Sequence, residues 1–470
     1  MNSLGEAGRL GECSPRTENV VGHVYVLPVD VAYRYQTASA LAGAELLLAT
    51  SGGVTEAGPA LHPYFFRGFL TEPGPAAQAL LATAAVARAR YFDPNLLASL
   101  AADPVATSNT DRLRFESFSA CCGVHARLDL LPEALDGEPV TSGTTNVDFN
   151  PGMRAALAGV VAGGGPMLLR VGSDEVTVTT ETTSVTERKV ELPARWVKGF
   201  GEVQALAQRM CPVAAIDGAE ATRFLGSLPR AARRPLWAVP AGRSLGLMSS
   251  PRPGAACLAG PQRLAEFRPL LRFARALRVY APPAAPGALP MPSAWELDLG
   301  TARLTLTLSP DVRRGFSGEG ALLDGLAGAG ETADADAALA SVFLSWDPVI
   351  TTARLAESSG FSPERTVASL TRLAAAGKVG FDLREGAFFH RELPFVVAES
   401  AHPRLAGARA LVSAGAVTLV AGGAVVGDSP GHRVTFASPD DTCTCPWWGK
   451  HRGTRGPCKH VLAARLAAAR

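Results

Sequence analysis

Three cysteines and one histidine near the C-terminus follow the spacing of a metal site. Cys443 and Cys445 are two residues apart, and twelve residues later Cys458 and His460 repeat that spacing. Side chains two residues apart on an extended strand point to the same side, so the first pair can bind one ion. The second pair precedes 461–470, an Ala/Leu-rich segment with strong helix propensity, which places the pair at the start of a helix. The pattern predicts a small module that folds around an ion.

The set of donor atoms indicates which ion this is. Three thiolates and one imidazole complete a tetrahedral shell around zinc and leave no position for water or a substrate, which is typical of a structural site. The alternative is that four buried or idle residues share this spacing by chance. Three of the eight cysteines fall within sixteen residues beside a histidine, and this clustering favours the metal. We therefore predict that zinc binds Cys443, Cys445, Cys458 and His460.

In residue type, order and spacing, this pattern resembles the SWIM zinc finger over roughly the last thirty residues of the chain. The rest of the sequence resembles a bacterial family of SWIM-containing proteins. That resemblance implies a setting shared with a MoxR-type ATPase and a von Willebrand A-domain protein. The stretches that carry the wider resemblance are 114–116, 143–150, 187–190, 195–196, 315–320 and 389–394.

The twelve residues between the two ligand pairs combine aromatic and cationic side chains. From 446 to 470 the sequence holds six Lys or Arg and no Asp or Glu. Indole rings can stack on bases and cations can bind phosphates, so nucleic acid is one candidate partner. Trp and Arg also dominate protein–protein contacts, so a protein is another. A third interpretation is that one tryptophan covers the zinc site and the charges face solvent. The candidate partner-binding residues are Trp447, Trp448, Lys450, Arg452 and Arg455.

Length and local composition divide the chain into several regions. A chain of 470 residues is long enough for about two to four domains. The segment 281–294 is rich in proline and alanine, which stiffens an extended chain and predicts a linker. Apolar residues alternate over 295–308 and predict a strand or hairpin, and helices are expected at 76–90, 202–209 and 264–277. The expected regions are a disordered tail (1–18), a large α+β region (19–280), the linker (281–294), a β-hairpin segment (295–333), a winged-helix-like segment (334–394), and a β-hairpin with a small ββα zinc module (395–470).

Residues 334–394 carry the signals of three helices followed by a hairpin. Ser362 is a favoured N-cap, and Pro363 is a favoured first residue for the third helix. Three helices and a hairpin form the pattern of a winged helix. The third helix offers only Arg365 and Arg372 as cations, and so thin a basic face favours a protein-contact or spacer role over DNA reading. Its predicted apolar stripe is Val367, Leu370, Leu373 and Ala374.

Charge and hydropathy exclude several classes of protein. The net charge is only +2, which argues against a surface that binds nucleic acid throughout. Residues 1–19 lack the basic and apolar regions of a signal peptide, and the thinly spread cysteines do not form a disulfide framework. A cytoplasmic location is therefore expected. Residues 410–427 carry no charge, but their glycines favour a β-hairpin over a membrane span.

Catalytic motifs are weak in this sequence. Residues 242–246 fit the G-x-S-x-G pattern, but two prolines in the residues that follow prevent the helix that a nucleophile elbow requires. Cys121 and Cys122 are adjacent, so on a strand they point to opposite faces and cannot easily share an ion with His125. We expect a multidomain α+β binding protein with no identified catalytic residue or small-molecule substrate. The alternative is an enzyme of unrecognised type in the α+β region, which a pocket with converging polar side chains would favour.

Overall fold

A computed structural model describes most of the chain. Helices and strands are mixed along it, so the predicted α+β class is confirmed. Among the described residues, no helix is both long and apolar enough to cross a membrane. The expected tail at 1–18 lies outside the described residues. These residues are 64–92, 104–109, 111–139, 142–147, 149–172, 194–328, 332–346, 349–391, 393, 402–427, 430–437 and 441–468, with short strands between 32 and 60 and between 179 and 191.

The largest sheet among the described residues has eight strands, all antiparallel. Its apolar alternation is clear at Leu304, Leu306 and Leu308, which are buried as the strand predicted at 295–308 requires. In spatial order its strands are β11 (Gly143–Asn146), β7 (Val105–Asn109), β8 (Arg112–Phe118), β9 (Val124–Leu130), β22 (Ala302–Leu308), β21 (Ser293–Asp298), β20 (Ala276–Ala281) and β16 (Cys211–Asp217).

The segment 281–294, expected to be a linker, connects two strands of this sheet that pair with each other. β20 and β21 are antiparallel, with Val279 opposite Trp295. β22 in turn pairs with β9, with Leu304 opposite Leu128. The backbone hydrogen bonds of one sheet therefore join the residues on the two sides of the segment.

Among the described residues, the first half of the chain also contains a second sheet, which has five strands, and four α-helices. Helix α1 (Pro73–Arg88) begins with proline at its first turn, where the missing N–H costs no hydrogen bond. The five strands are β10 (Leu135–Pro139), β6 (Tyr64–Leu70), β12 (Met167–Gly172), β3 (Glu45–Leu48) and β2 (Ala40–Ala42), and the other helices are α2 (Pro151–Gly163), α3 (Ala194–Ala207) and α4 (Gly218–Ser227). Smaller sheets join β17 (Leu236–Ala241) to β18 (Ser244–Met248) and β19 (Ala256–Leu258), β1 (Ala32–Tyr33) to β15 (Val190–Glu191), β4 (Gly53–Thr55) to β5 (Gly58–Ala60), and β13 (Thr179–Thr180) to β14 (Thr183–Ser184).

The helix predicted at 264–277 is present only in part and is of the 3₁₀ type. Pro261–Phe273 forms a 3₁₀ helix, and the residues after it enter β20. Pro269 lies inside this helix, and a proline cannot donate to the hydrogen-bond ladder of an α-helix. Two further 3₁₀ turns span Pro132–Ala134 and Phe316–Gly318.

The second half of the chain packs around a separate hydrophobic core. As predicted, Ser362 caps its helix by accepting a hydrogen bond from the N–H of Arg365 at 3.3 Å. The predicted apolar stripe of that helix includes Val367, but this side chain is 47% exposed. Thr366 and Ser369 occupy the buried face of the helix instead. The first elements are α5 (Ala321–Gly328), α6 (Ala333–Trp346), β23 (Val349–Ile350), α7 (Thr352–Ser359), α8 (Pro363–Ala375), β24 (Val379–Asp382) and β25 (Ala387–His390). They are followed by α9 (Pro403–Ser413), β26 (Val417–Val420), β27 (Gly423–Val426), β28 (His432–Thr435), β29 (Thr442–Cys443), α10 (Pro446–His451) and α11 (Lys459–Ala468).

The hairpin predicted within 410–427 is confirmed by the antiparallel pairing of β26 with β27. These strands continue through β28 to β29 as one four-stranded sheet. That sheet leads the chain directly into the segment that carries the predicted metal ligands.

Buried ion pairs hold the β24–β25 hairpin against the eight-stranded sheet. Asp382 pairs with Arg303 at 3.0 Å and with Arg127 at 3.3 Å. Just after the hairpin, Arg391 pairs with Glu116 at 2.7 Å. Buried charges are stable only when they are paired, so these contacts fix how the two halves of the chain pack together.

Candidate metal centre and the loop it closes

The four predicted metal ligands converge in the structure. One ligand atom from each of Cys443, Cys445, Cys458 and His460 lies within 4.8 Å of all the others, and all four residues are buried. Over the part of the chain that the structure describes, this is the one group of His, Cys, Asp or Glu arranged to hold a metal ion. Atoms bound to one zinc at about 2.0–2.3 Å lie about 3.5–3.8 Å apart in a tetrahedron. The observed cluster therefore fits a zinc ion.

Two helix starts and one strand end position the cysteines. Cys443 ends β29, where it lies opposite Val434 of β28. Cys445 is the N-cap of α10, and its sulfur accepts a hydrogen bond from the N–H of Trp448 at 3.3 Å. Cys458 directly precedes α11, and its sulfur accepts from the N–H of Val461 at 3.4 Å. N–H donors at a helix start stabilise a thiolate, which is the form that binds metal.

The three thiols lie close enough to alter one another's protonation. A hydrogen bond with Cys458 raises the pKa of Cys443 far above its usual range, and the same bond lowers the pKa of Cys458 to about 4. Burial raises the pKa of Cys445. Three thiolates this close repel one another, and a divalent cation removes that penalty. Zinc held by these residues would act as a structural link, because three sulfurs and one nitrogen fill its coordination shell.

The metal centre is part of the hydrophobic core of the second half of the chain. The three cysteines pack in the same cluster as Leu462 of α11, Leu405 of α9 and Leu322 of α5. The ring of His432 lies 4.4 Å from the ring of His460, measured between centroids. The metal module, residues 432–468, is therefore built into a larger core.

The loop between the ligand pairs docks against residues 315–320. The guanidinium of Arg455 donates to the carbonyl oxygen of Gly318 at 2.6 and 3.0 Å. Gly456, at φ +70°, lies so close to the backbone of Gly320 that a Cβ atom would collide with it. The two glycines therefore allow a close backbone approach that larger residues would block.

Arg404 of α9 stabilises this contact, and no motif in the sequence indicates its role. Its guanidinium donates to the carbonyl oxygens of Arg455 at 2.6 Å, Pro457 at 3.0 Å and Glu319 at 2.6 Å. It also lies over the ring of Trp447, 4.9 Å from the centroid. One side chain thus joins α9, the 315–320 turn and the metal module.

The five candidate partner-binding residues lie in different surroundings. Lys450 and Arg452 are exposed. Trp447 and Trp448 are half-buried and pack against the core that contains the metal centre. The guanidinium of Arg455 is engaged with Gly318, within the protein. Exposed charge on this loop is therefore concentrated at Lys450 and Arg452.

Comparisons with known proteins identify the metal module. Residues 432–468 match the family model of the SWIM zinc finger, so this segment of the chain is a SWIM zinc finger. The chain has no significant match among curated proteins. Among solved structures it is similar to proliferating cellular nuclear antigen from Entamoeba histolytica, with 9% identity and a TM-score of 0.30 over 52% of this chain and 98% of that one. A TM-score this low gives no information about a shared fold or function.

Proposed function

We propose that this protein is a zinc-stabilised interaction protein whose finger presents Lys450 and Arg452 to a partner. One observation carries the proposal. Both cations are exposed, and neither forms an ion pair with any residue that the structure describes. They lie on the segment whose two ends are held by the metal ligands Cys445 and Cys458, so the ion would fix the shape of the surface that carries them.

Zinc has a structural role in this proposal. A site filled by four protein ligands has no position at which water or a substrate could be activated. The cluster also lies inside a hydrophobic core, away from solvent. Folding and presentation of the loop are therefore the functions that the ion can serve.

We propose a winged-helix-like unit between residues 334 and 394 as a second contact element. The order of α6, α7, α8 and the β24–β25 hairpin supports it. The cations of α8 are already engaged, because Arg365 pairs with Asp336 at 2.6 Å and Arg372 pairs with Asp334 at 3.3 Å. Its hairpin packs against the eight-stranded sheet, so a packing or protein-contact role suits this unit better than DNA reading.

The partner in this proposal is a protein, a nucleic acid or both, met in the cytoplasm. The MoxR-type ATPase and von Willebrand A-domain protein belong to the proposal through the sequence resemblance. We also propose that the finger has a ββα arrangement, built from β28, β29 and α11. The competing enzyme hypothesis requires a catalytic pocket in which polar side chains of the α+β region converge. Glu116, His125 and Arg391 converge, but around a cavity of only about 20 Å³, which holds about one water molecule.

Affinity purification of the full chain tests the proposal. Wild type would be compared with a Lys450→Glu, Arg452→Glu double variant, with and without nuclease. The control is Arg243→Glu, Arg268→Glu, which makes the same charge change at two exposed positions outside the finger. We expect the finger variant to lose its co-purified partner while it keeps its zinc. An unchanged set of partners in that variant would refute the proposal.

A further inference from the structure

A cleft of about 1150 Å³ lies between the metal module and loops that precede it in the chain. The finger contributes residues 450–452 and Thr454 to its lining. The opposite side is formed by loops at 232–235 and 310–314. These segments are far apart in sequence, and the finger that carries one of them docks against residues 315–320, directly after the 310–314 loop.

The lining of this cleft is strongly basic. Its one acidic side chain among the described residues is Asp311. Arg314 is already paired, with Glu319 at 2.5 Å. The other cations are exposed and form no ion pair within the described part of the chain. The six cationic residues of the lining are Arg233, Arg234, Arg313, Arg314, Lys450 and Arg452.

The cleft also has apolar and aromatic lining. Leu289 is 55% exposed, although apolar side chains of this size are usually buried. Pro290, Tyr91 and Phe92 line the same cleft. Exposed apolar surface beside unpaired cations suits a ligand that alternates negative charge with flat apolar groups.

We propose that this cleft binds single-stranded nucleic acid, with phosphates on the arginines and bases against the apolar lining. The proposal rests on the proposed function, because Lys450 and Arg452 form one side of the cleft, and it names the partner class. Five of the six cations are arginines. The planar guanidinium of an arginine can donate two hydrogen bonds to the oxygens of one phosphate. The volume exceeds the roughly 300–1,000 Å³ of common small-molecule pockets. A duplex keeps its bases stacked internally, so it would leave the apolar lining without a partner.

Fluorescence anisotropy with a labelled single-stranded DNA of about twelve nucleotides tests the proposal on the zinc-loaded full chain. We expect binding that weakens with salt. Arg233→Ala, Arg234→Ala should weaken it about tenfold or more and reduce the slope of log K against log salt by about 1.4, since each phosphate contact contributes about 0.7. The matched control, Arg243→Ala, Arg268→Ala, should bind like wild type. Zinc content and near-UV circular dichroism confirm that each variant is folded.

Several results would overturn the inference. One is equal binding by the Arg233→Ala, Arg234→Ala variant. Another is that a duplex of the same sequence binds as tightly as the single strand or more tightly, which would show that unpaired bases do not contribute to binding. Displacement by polyglutamate or inorganic phosphate as effectively as by unlabelled oligonucleotide would show a general anion site. If only the Lys450→Glu, Arg452→Glu variant loses binding, the cleft is wrong while the finger proposal stands.

Discussion

Replacing one metal ligand, in Cys458→Ser, tests whether zinc holds the C-terminal core together. Serine keeps the size of the side chain but is a far poorer zinc ligand than a thiolate. Because Cys458 directly precedes α11, the first element to lose its anchor is that helix.

The magnitude follows from what α11 buries. Val461 and Leu462 are fully buried, and each contributes roughly 1.5–3 kcal/mol, or about 3–6 kcal/mol together. Ordering the backbone of this ten-residue helix costs about 1–2 kcal/mol per residue, or about 10–20 kcal/mol. Metal ligation supplies on the order of 10 kcal/mol in comparable modules. Burial and zinc together fall within the range of the ordering cost, whereas burial alone falls well below it.

Hydrogen exchange measured by mass spectrometry, with a zinc assay on the same samples, reports the outcome. We expect loss of protection over 441–468 and over α9, since Arg404 loses its acceptors at Arg455 and Pro457. Amides of the eight-stranded sheet should stay protected. Cys211→Ser is the matched control, because Cys211 is exposed and lies outside the cluster. Wild-type protection of the C-terminal amides in Cys458→Ser would refute the structural role of zinc.

Three further predictions concern the metal and two buried carboxyls. Elemental analysis should find one zinc per chain, and a value near zero would contradict the site. Ion pairs with Arg127 and Arg303 outweigh burial and hold the pKa of Asp382 below its usual range, so its stabilisation is present above about pH 3.9 and lost as pH falls further. Asp382→Asn should therefore cost about 3–5 kcal/mol in urea unfolding at pH 7, and an unchanged midpoint would count against it. Burial raises the pKa of Glu202 to about 8, so stability should fall as pH rises from about 4.3 to 8. Glu202→Gln should flatten that dependence in thermal unfolding, and a retained slope would exclude this carboxyl as its cause.

Features set by neighbouring residues could be predicted from the sequence. The metal cluster follows from two local spacings. Cys443 and Cys445 lie two residues apart where β29 ends, and Cys458 and His460 lie two residues apart where α11 begins, so each pair places two ligand atoms close together. The cap at Ser362 and the hairpin within 410–427 depend only on local backbone preferences. Each of these features is specified within a few residues, so the sequence contains the whole cause.

Features set by distant contacts could not be predicted in the same way. The proline-rich segment 281–294 has the composition of a linker, yet its position between paired strands depends on hydrogen bonds that composition does not report. Val367 continues a helical apolar pattern, but Thr366 and Ser369 occupy the buried face. Their hydroxyls can be buried there because they donate hydrogen bonds to backbone carbonyl oxygens one turn earlier in the helix. Arg404 carries no motif at all, and its role arises only where three chain segments meet.

The docking of the finger explains how a chain of nearly neutral net charge can carry a strongly basic cleft. The net charge of only +2 does not reveal a local concentration of cations. The cations on one side of the cleft, Lys450 and Arg452, lie between zinc ligands, and those on the other side come from the loops at 232–235 and 310–314. Because Arg455 and Arg404 hold the finger in place through backbone carbonyls, the cleft depends on the fold of the metal module. In the proposed cleft, zinc bound in a site with no catalytic position would therefore still affect binding, since it holds two of the six cations in place.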